Sequence, residues 1–292
     1  MFGTFRRSYQ IFRESLSVLK QDTELLIFPL LSGVFTILAF GGLIFGGVIT
    51  GFFSRLANSG DHSLQANLLG YAALFVWYFI SWFIVLFFNV AVIHCARIRL
   101  DGGDPTVGDG FRAAGEHLSQ IVLWAAISAT VGIILRMIAE RSKLIGRIIA
   151  GFFGAVWAVA TYFIVPVMIF EKRSMKDSIK QSTELIRRTW GESLVAAGGV
   201  GLFITLLAIP GLLLPIGGMF INVAAAIVGL GFMVLYWIVL AVISSALTSI
   251  YRTSLYLYAT EGRVPPGFSD GFIRNAFAEK KGKGAIAAPR MA

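Results

Sequence analysis

The residues able to do chemistry are few and scattered. Asn89, His94 and Cys95 stand close together near one end of a long apolar run. A buried imidazole relays protons when an acid or a second histidine stands beside it. No Asp, Glu or further His lies within any apolar run, so helix-to-helix hydrogen bonding is the reading for Asn89 and His94. Glu171 follows Pro166 by five residues at the border of another run, where it is placed to pair with a nearby Lys or Arg. Ser81, Ser128, Ser244, Ser245 and Ser249 are hydroxyls within apolar runs, and none has the positioned base that a serine nucleophile needs. His62 and His117 are isolated and expected to be exposed, and with the single Cys95 they make no metal site. Phosphate-binding GxxxxGK[ST], zinc-binding HExxH and the GxSxG nucleophile elbow are all missing. The expectation is a protein that is not an enzyme, with no catalytic residue, no cofactor and no metal.

The elements that carry these residues are membrane spans. Only 14% of the chain is charged, against roughly 25% in ordinary soluble domains, and the mean hydropathy is +0.77. A bilayer-spanning helix needs about 20 apolar residues. Six runs qualify, at about 25–51, 69–95, 119–136, 148–170, 193–219 and 222–250. Arg136, at the end of one, is their only Lys or Arg. A β-barrel would instead alternate polar and apolar residues over segments of about ten. The first 24 residues show no short hydrophobic core or small-residue cleavage site, so the first span is expected to act as its own insertion signal.

The basic residues set an orientation. Twenty fall on one side of six such spans, in the N-terminal segment, the second and fourth connections and the C-terminal segment. The other side has Arg55, Arg136, Arg141, Lys143 and Arg147, and the last four, in the third connection, are the discordant group. The positive-inside rule then places both termini in the cytoplasm of a bacterial or archaeal cell, with the chain in the plasma (inner) membrane. The net charge of +9 is expected to attract anionic lipid headgroups at that face. No basic motif interleaved with aromatics suggests nucleic acid as a partner.

A short amphipathic segment precedes each pair of runs. The first, in residues 1–24, spaces Phe5, Tyr9, Phe12, Leu16 and Leu19 helically, with Arg6, Arg7, Arg13 and Lys20 around them. The second lies near 105–118, with Asp104 as expected N-cap before Pro105. The third lies near 174–190, opened by Ser174 and Asp177, with Lys176, Lys180, Arg187, Arg188 and Trp190 among its residues. A partial copy follows at 259–278, behind Pro265 and Pro266, and residues 279–292 read as a disordered basic tail. Asp109-Gly110-Phe111-Arg112, Asp177-Ser178-Ile179-Lys180 and Asp270-Gly271-Phe272 share an acid–small–apolar opening, which suggests an internal repeat. Gly42 to Gly46 and Gly47 to Gly51 have GxxxG spacing, and Gly151 and Ala155 form a similar pair. Both are expected to pack helices within the chain, with dimerisation as the alternative. Pro29 reads as a first-turn proline and Pro166 as a helix bend. Pro210-Gly211 and Pro215 predict a broken, partly re-entrant end to the fifth run, with a gate as the alternative.

Three strings carry a resemblance: Asp22–Gly33, Gly102–Gly110, and Thr161–Glu171 continuing to Ser182 and Thr189-Trp190-Gly191-Glu192. Their residues, above all the spacing of Pro166, Glu171, Ser182 and Trp190-Gly191, resemble a widespread prokaryotic family of six-pass membrane proteins known only as a domain of unknown function. The resemblance covers most of residues 5–260 and implies an integral membrane fold without an assigned activity. A more distant likeness is to membrane domains attached to some glycerophosphodiesterases, whose soluble catalytic domain has no counterpart here.

The combined expectation is an all-α polytopic membrane protein. Six transmembrane helices form three hairpins in a domain at 25–258, each hairpin preceded by a cytoplasmic interfacial amphipathic helix. The expected role is a membrane scaffold or accessory protein that engages lipid, a membrane protein partner or a second copy of itself through its basic face. The alternative is a transporter or channel for a small apolar or amphipathic solute, with a hydrated cavity lined by Asn89, His94 or Tyr162.

Overall fold

The computed structural model describes residues 2–51, 64–141, 144–171, 173–188, 201 and 203–269. Among these residues there are helices and turns and no strand. Helix α1 is Phe2–Gln21, and a 3-10 turn, Thr23–Leu26, leads into α2, Ile27–Ile49. Then come α3 (Leu64–Leu100), α4 (Val107–Glu116), α5 (Leu118–Arg141), α6 (Ile145–Ala160), α7 (Ile164–Phe170) and α8 (Met175–Arg188). An apolar helix, α9 (Phe203–Met219), contains a 3-10 turn at Ile209–Leu212, and α10 is Val223–Glu261.

Five stretches are long and apolar enough to cross a membrane: Thr23–Ile49, Gly70–Leu100, Leu118–Arg141, Ile145–Phe170 and Val223–Glu261. Of the expected fifth run, the part before residue 201 lies outside the described residues, and α9 is shorter than these five. Phe45 is 68% exposed, Phe152 64% and Val223 77%. So wide an apolar surface suits a lipid solvent and not water. Neighbours in sequence pack together, α2 with α3, α5 with α6 and α9 with α10, and α3 packs as extensively against α5 and also touches α4, α7 and α10.

The buried core sits at one end of this bundle. Ile11, Val18 and Leu19 of α1, Phe28, Val90–Ile93, Cys95, Ala96 and Leu100 of α3, Phe163–Val165, Val167–Ile169, Leu185 and Ile186 of α8, and Leu247, Ile250, Tyr251 and Leu255 of α10 form one cluster. The C-terminal turns of α3 and α10 lie side by side here, wrapped by α1, α4, α7 and α8. An ion-pair network closes this packed end. Arg97 bonds Glu261 at 2.7 Å and Asp101 at 3.4 Å, and Arg263 pairs with Glu261 at 2.6 Å and with Asp101. Arg99 reaches Asp104 and the 4%-exposed Asp22 side chain.

Several expectations are corrected. Asp104 does not cap α4. Thr106 does, accepting from the Asp109 N–H while the Asp109 carboxylate accepts from the Thr106 N–H, a reciprocal capping box. The small residue after that acid is now explained. A Cβ on Gly110 would lie 2.3 Å from Phe28 Cζ and 3.0 Å from Cys95 Sγ. Phe28 is 1% exposed and has no room to withdraw. Gly110→Ala is therefore expected to destabilise the protein by about 1–3 kcal/mol, as overpacking does, measured by chemical unfolding in detergent. Ser178, the matching position of α8, is equally buried, and Ser174 accepts from the Asp177 N–H at 3.3 Å.

His117 is half-buried, its Nδ1 2.8 Å from the Ala113 carbonyl oxygen, not exposed. His62 lies outside the described residues. Gly42, Gly46 and Gly151 have open space where a Cβ would stand, so they do not bring helices of this chain together. After α10, Gly262 caps the helix in the left-handed region at φ 68°, and residues 263–269 are irregular. Phe268 folds back into the core, and the rest of the expected segment at 270–278 lies outside the described residues, as does the tail at 279–292.

Candidate functional site

The fourth span is not the single bent helix expected around Pro166. It stops at Ala160, turns through Thr161–Phe163 and restarts as α7. Proline has no N–H, and its ring clashes with the carbonyl four residues earlier, here Tyr162. The interruption therefore falls one turn before Pro166 and releases backbone polar groups inside an apolar bundle. Such groups must be satisfied internally. Ser182 of α8 does this with one hydroxyl. It accepts from the Phe163 N–H at 3.1 Å and donates to the Ala160 carbonyl at 2.8 Å, and it is fully buried.

α9 repeats the device. Its 3-10 turn carries Pro210, and the carbonyls of Leu207 and Ala208 accept from Tyr236 Oη at 2.6 Å and Trp237 Nε1 at 3.1 Å, both on α10. The fifth run tightens to a 3-10 turn at Pro210 and continues as helix to Met219 before a tight turn into α10.

Next to the first interruption, two cavities of about 510 and 440 Å³ meet at Asn89 and Arg252. One lies beside α9 and α10 and presents Ser244, Ser245, Thr248 and Ser249. The other lies among α3, α5 and α6, with Trp82, Trp124, Trp157 and Leu135 as apolar wall and Thr161 and Tyr162 beneath Arg252. The guanidinium stacks on the Tyr162 ring, 4.8 Å from its centroid. Asn89 accepts a long hydrogen bond, 3.4 Å, from Ser249, the helix-to-helix role foreseen for it. Arg252 Nε is buried without a hydrogen-bond partner among the described residues, and the buried Tyr162 hydroxyl has Arg252 as its polar neighbour.

Arg252 escaped the sequence reading because the last apolar run ends near residue 250, whereas α10 continues unbroken to Glu261. The signal available was Arg252 itself, two residues past the run and within the same helical pattern. His94 lines neither cavity and makes no hydrogen bond among the described residues; it lies on α3, half-buried. Pro29 occupies the first turn of α2, buried as expected. Glu171 accepts from Tyr256 Oη at 2.8 Å and pairs with Arg173 at 2.6 Å, just before α8 begins.

α8 presents two unlike faces. At 100° per residue, Lys176, Lys180 and Arg187 fall within an arc of about 40°, and all three are exposed. Ser178, Ser182, Leu185 and Ile186 are buried on the opposite side. Arg188 ends the helix, and Trp190 lies outside the described residues. Many other cations at the packed end have carboxylate partners, among them Arg97, Arg99, Arg173 and Arg263.

The capping box of α4 gives a pH signature. Hydrogen bonds from the Thr106 hydroxyl, at 2.7 Å, and N–H, at 3.0 Å, hold the Asp109 carboxyl below the usual carboxylate range. A lowered folded pKa gives stability that is present above the unfolded value, about 3.9, and lost as pH falls through the folded one. Asp109→Asn is therefore expected to lower the thermal midpoint at neutral pH, and the gap to the parent is expected to close below about pH 4. A gap independent of pH would show that the carboxylate's charge is not what matters.

Helices of this length and apolarity, opened outward and interrupted only where neighbouring side chains satisfy the backbone, define an all-α multi-pass membrane protein. Residues 68–268 match a family of unknown function, DUF6159, and the chain belongs to that family. No curated protein and no solved structure matches it, so the likeness to glycerophosphodiesterase-associated membrane domains has no support there.

Proposed function

We propose that the protein is a non-enzymatic scaffold or accessory protein of the plasma (inner) membrane, engaging anionic lipid through the packed end. The observation that carries this is the row Lys176, Lys180 and Arg187, a free cationic stripe on a helix whose other face is fixed in the core. The distribution of Lys and Arg orients that end, with both termini, to the cytoplasm, where anionic headgroups attract each such cation by about 1 kcal/mol. The paired packing of α2–α3, α5–α6 and α9–α10 supports a six-span arrangement of three hairpins. The equivalent openings of α4 and α8 support a repeated unit with an interfacial helix before each hairpin.

Purification in mild detergent, with quantification of retained lipids and proteins, tests the reading. The wild type is expected to retain anionic phospholipid, and a Lys176→Gln, Lys180→Gln, Arg187→Gln variant to lose most of it. A protein recovered alone and lipid-free, or a variant retaining as much lipid as the wild type, would count against it. The two cavities meeting at Asn89 favour a second reading, a carrier for a small amphipathic solute. Solute flux in proteoliposomes, lost on closing the cavity with Ser245→Trp, distinguishes it.

A further inference from the structure

We infer that Arg252, with Tyr162 and Asn89, forms a binding site for the head of an anionic amphiphile, a phosphate or carboxylate carried on an acyl chain. The site lies apart from the α8 stripe that carries the first reading, and it uses the cavities on which the second reading rests. Arg252 has no carboxylate partner among the described residues, in contrast to Arg97, Arg99 and Arg263. It is also half-buried. An ionised side chain taken partly out of water is stabilised by a counter-charge or a strong set of acceptors.

The described surroundings supply neither. Its Nε is buried without a partner, its flat side rests on Tyr162, and both cavities are lined by it. The other polar groups at the junction are the Tyr162 hydroxyl, whose one polar neighbour is Arg252 itself, and the Asn89 amide. With guanidinium, phenol and amide available as donors and no carboxylate lining either cavity, the site matches an anion.

The shape selects an amphiphile over a bare ion. A space of about 440 Å³ exceeds what a lone phosphate fills, and away from Arg252 its wall is Trp82, Trp124, Trp157 and Leu135. An acyl chain fits that wall while its head reaches Arg252.

The test uses the full chain in nanodiscs of phosphatidylcholine containing a small fraction of phosphatidic acid with a photoactivatable acyl chain. Mass spectrometry then locates the label. Labelling is expected between Trp82 and Asn89 and between Trp157 and Val165. Arg252→Gln is expected to reduce it by about 30-fold or more, while Arg252→Lys retains a large part, which also reports on folding. Excess inorganic phosphate is expected to leave the labelling unchanged; if it abolishes labelling, the occupant is a free anion and the amphiphile is excluded. Equal labelling by photoactivatable phosphatidylcholine, or label confined to outward residues such as Leu38 and Phe152, overturns the site on the wild-type protein alone. Label confined to the α8 stripe overturns this site and leaves the proposed function standing, whereas label at the cavity alone does the reverse.

Discussion

Ser182→Ala is expected to destabilise the protein by about 2–4 kcal/mol, because one small hydroxyl serves two backbone groups that nothing else among the described residues fully satisfies. Orphaning a buried donor or acceptor costs about 1–3 kcal/mol each, and the substitution orphans the Phe163 N–H and weakens the bonding of the Ala160 carbonyl. Thr183 Oγ1 stands 3.5 Å from that carbonyl and offers only a residual contact. The measurement is unfolding in detergent with a graded denaturant, with Thr183→Ala as comparator and an expected loss below about 1 kcal/mol. A Ser182→Ala loss below about 0.5 kcal/mol, the range of an inconsequential surface change, would show that water or a shift of α7 closes the interruption. The packed end is expected to loosen with the substitution, since α8 touches α7 chiefly along this face.

Arg252→Met is expected to show opposite signs under two conditions. In detergent without added lipid it removes a half-buried cation with no carboxylate partner among the described residues and places an apolar stem of similar reach on Tyr162. Replacing buried charge by apolar side chains is neutral or stabilising by about 1–4 kcal/mol, reduced here by the lost stacking on Tyr162, worth roughly 0.5–2 kcal/mol. With anionic amphiphile present the wild type gains binding free energy, about 2.7 kcal/mol at a hundredfold excess over Kd, and the variant does not. The thermal midpoints of the two proteins are therefore expected to cross as phosphatidic acid is titrated in. A wild type that stays ahead at every lipid concentration, zero included, would assign Arg252 a structural role alone.

The features legible from residue order were those decided locally. Apolar runs announced the membrane helices, and Ser174 with Asp177 announced the start of α8. Pro210 announced a disturbance of the fifth run, found as a 3-10 turn. What was not legible depended on partners distant in the chain. Thr161, Tyr162 and Phe163 belong to an apolar run and read as helix; only Pro166 hinted at the turn, and its consequence appears once Ser182 is seen nineteen residues from Phe163. Asp104 looked like a cap because it precedes Pro105, but Arg99 draws it away and Thr106 takes the role. Gly42 and Gly46 have the spacing of a packing face, yet spacing does not say whether a neighbour arrives. Arg252 was not legible as part of the bundle because hydropathy ends near residue 250, whereas a helix continues for as long as its backbone is unbroken.

α10 has 39 residues without interruption and so measures about 58 Å at 1.5 Å per residue, nearly twice a hydrocarbon thickness of about 30 Å. α9 grips its first half, and its buried second half, from Leu240 onward, is held among α1, α2 and α3. A rod longer than the bilayer accommodates by tilting. A tilt of about 10° over that length displaces one end by about 10 Å relative to the other, and the far end is the one that Arg97 and Arg263 fasten through Glu261.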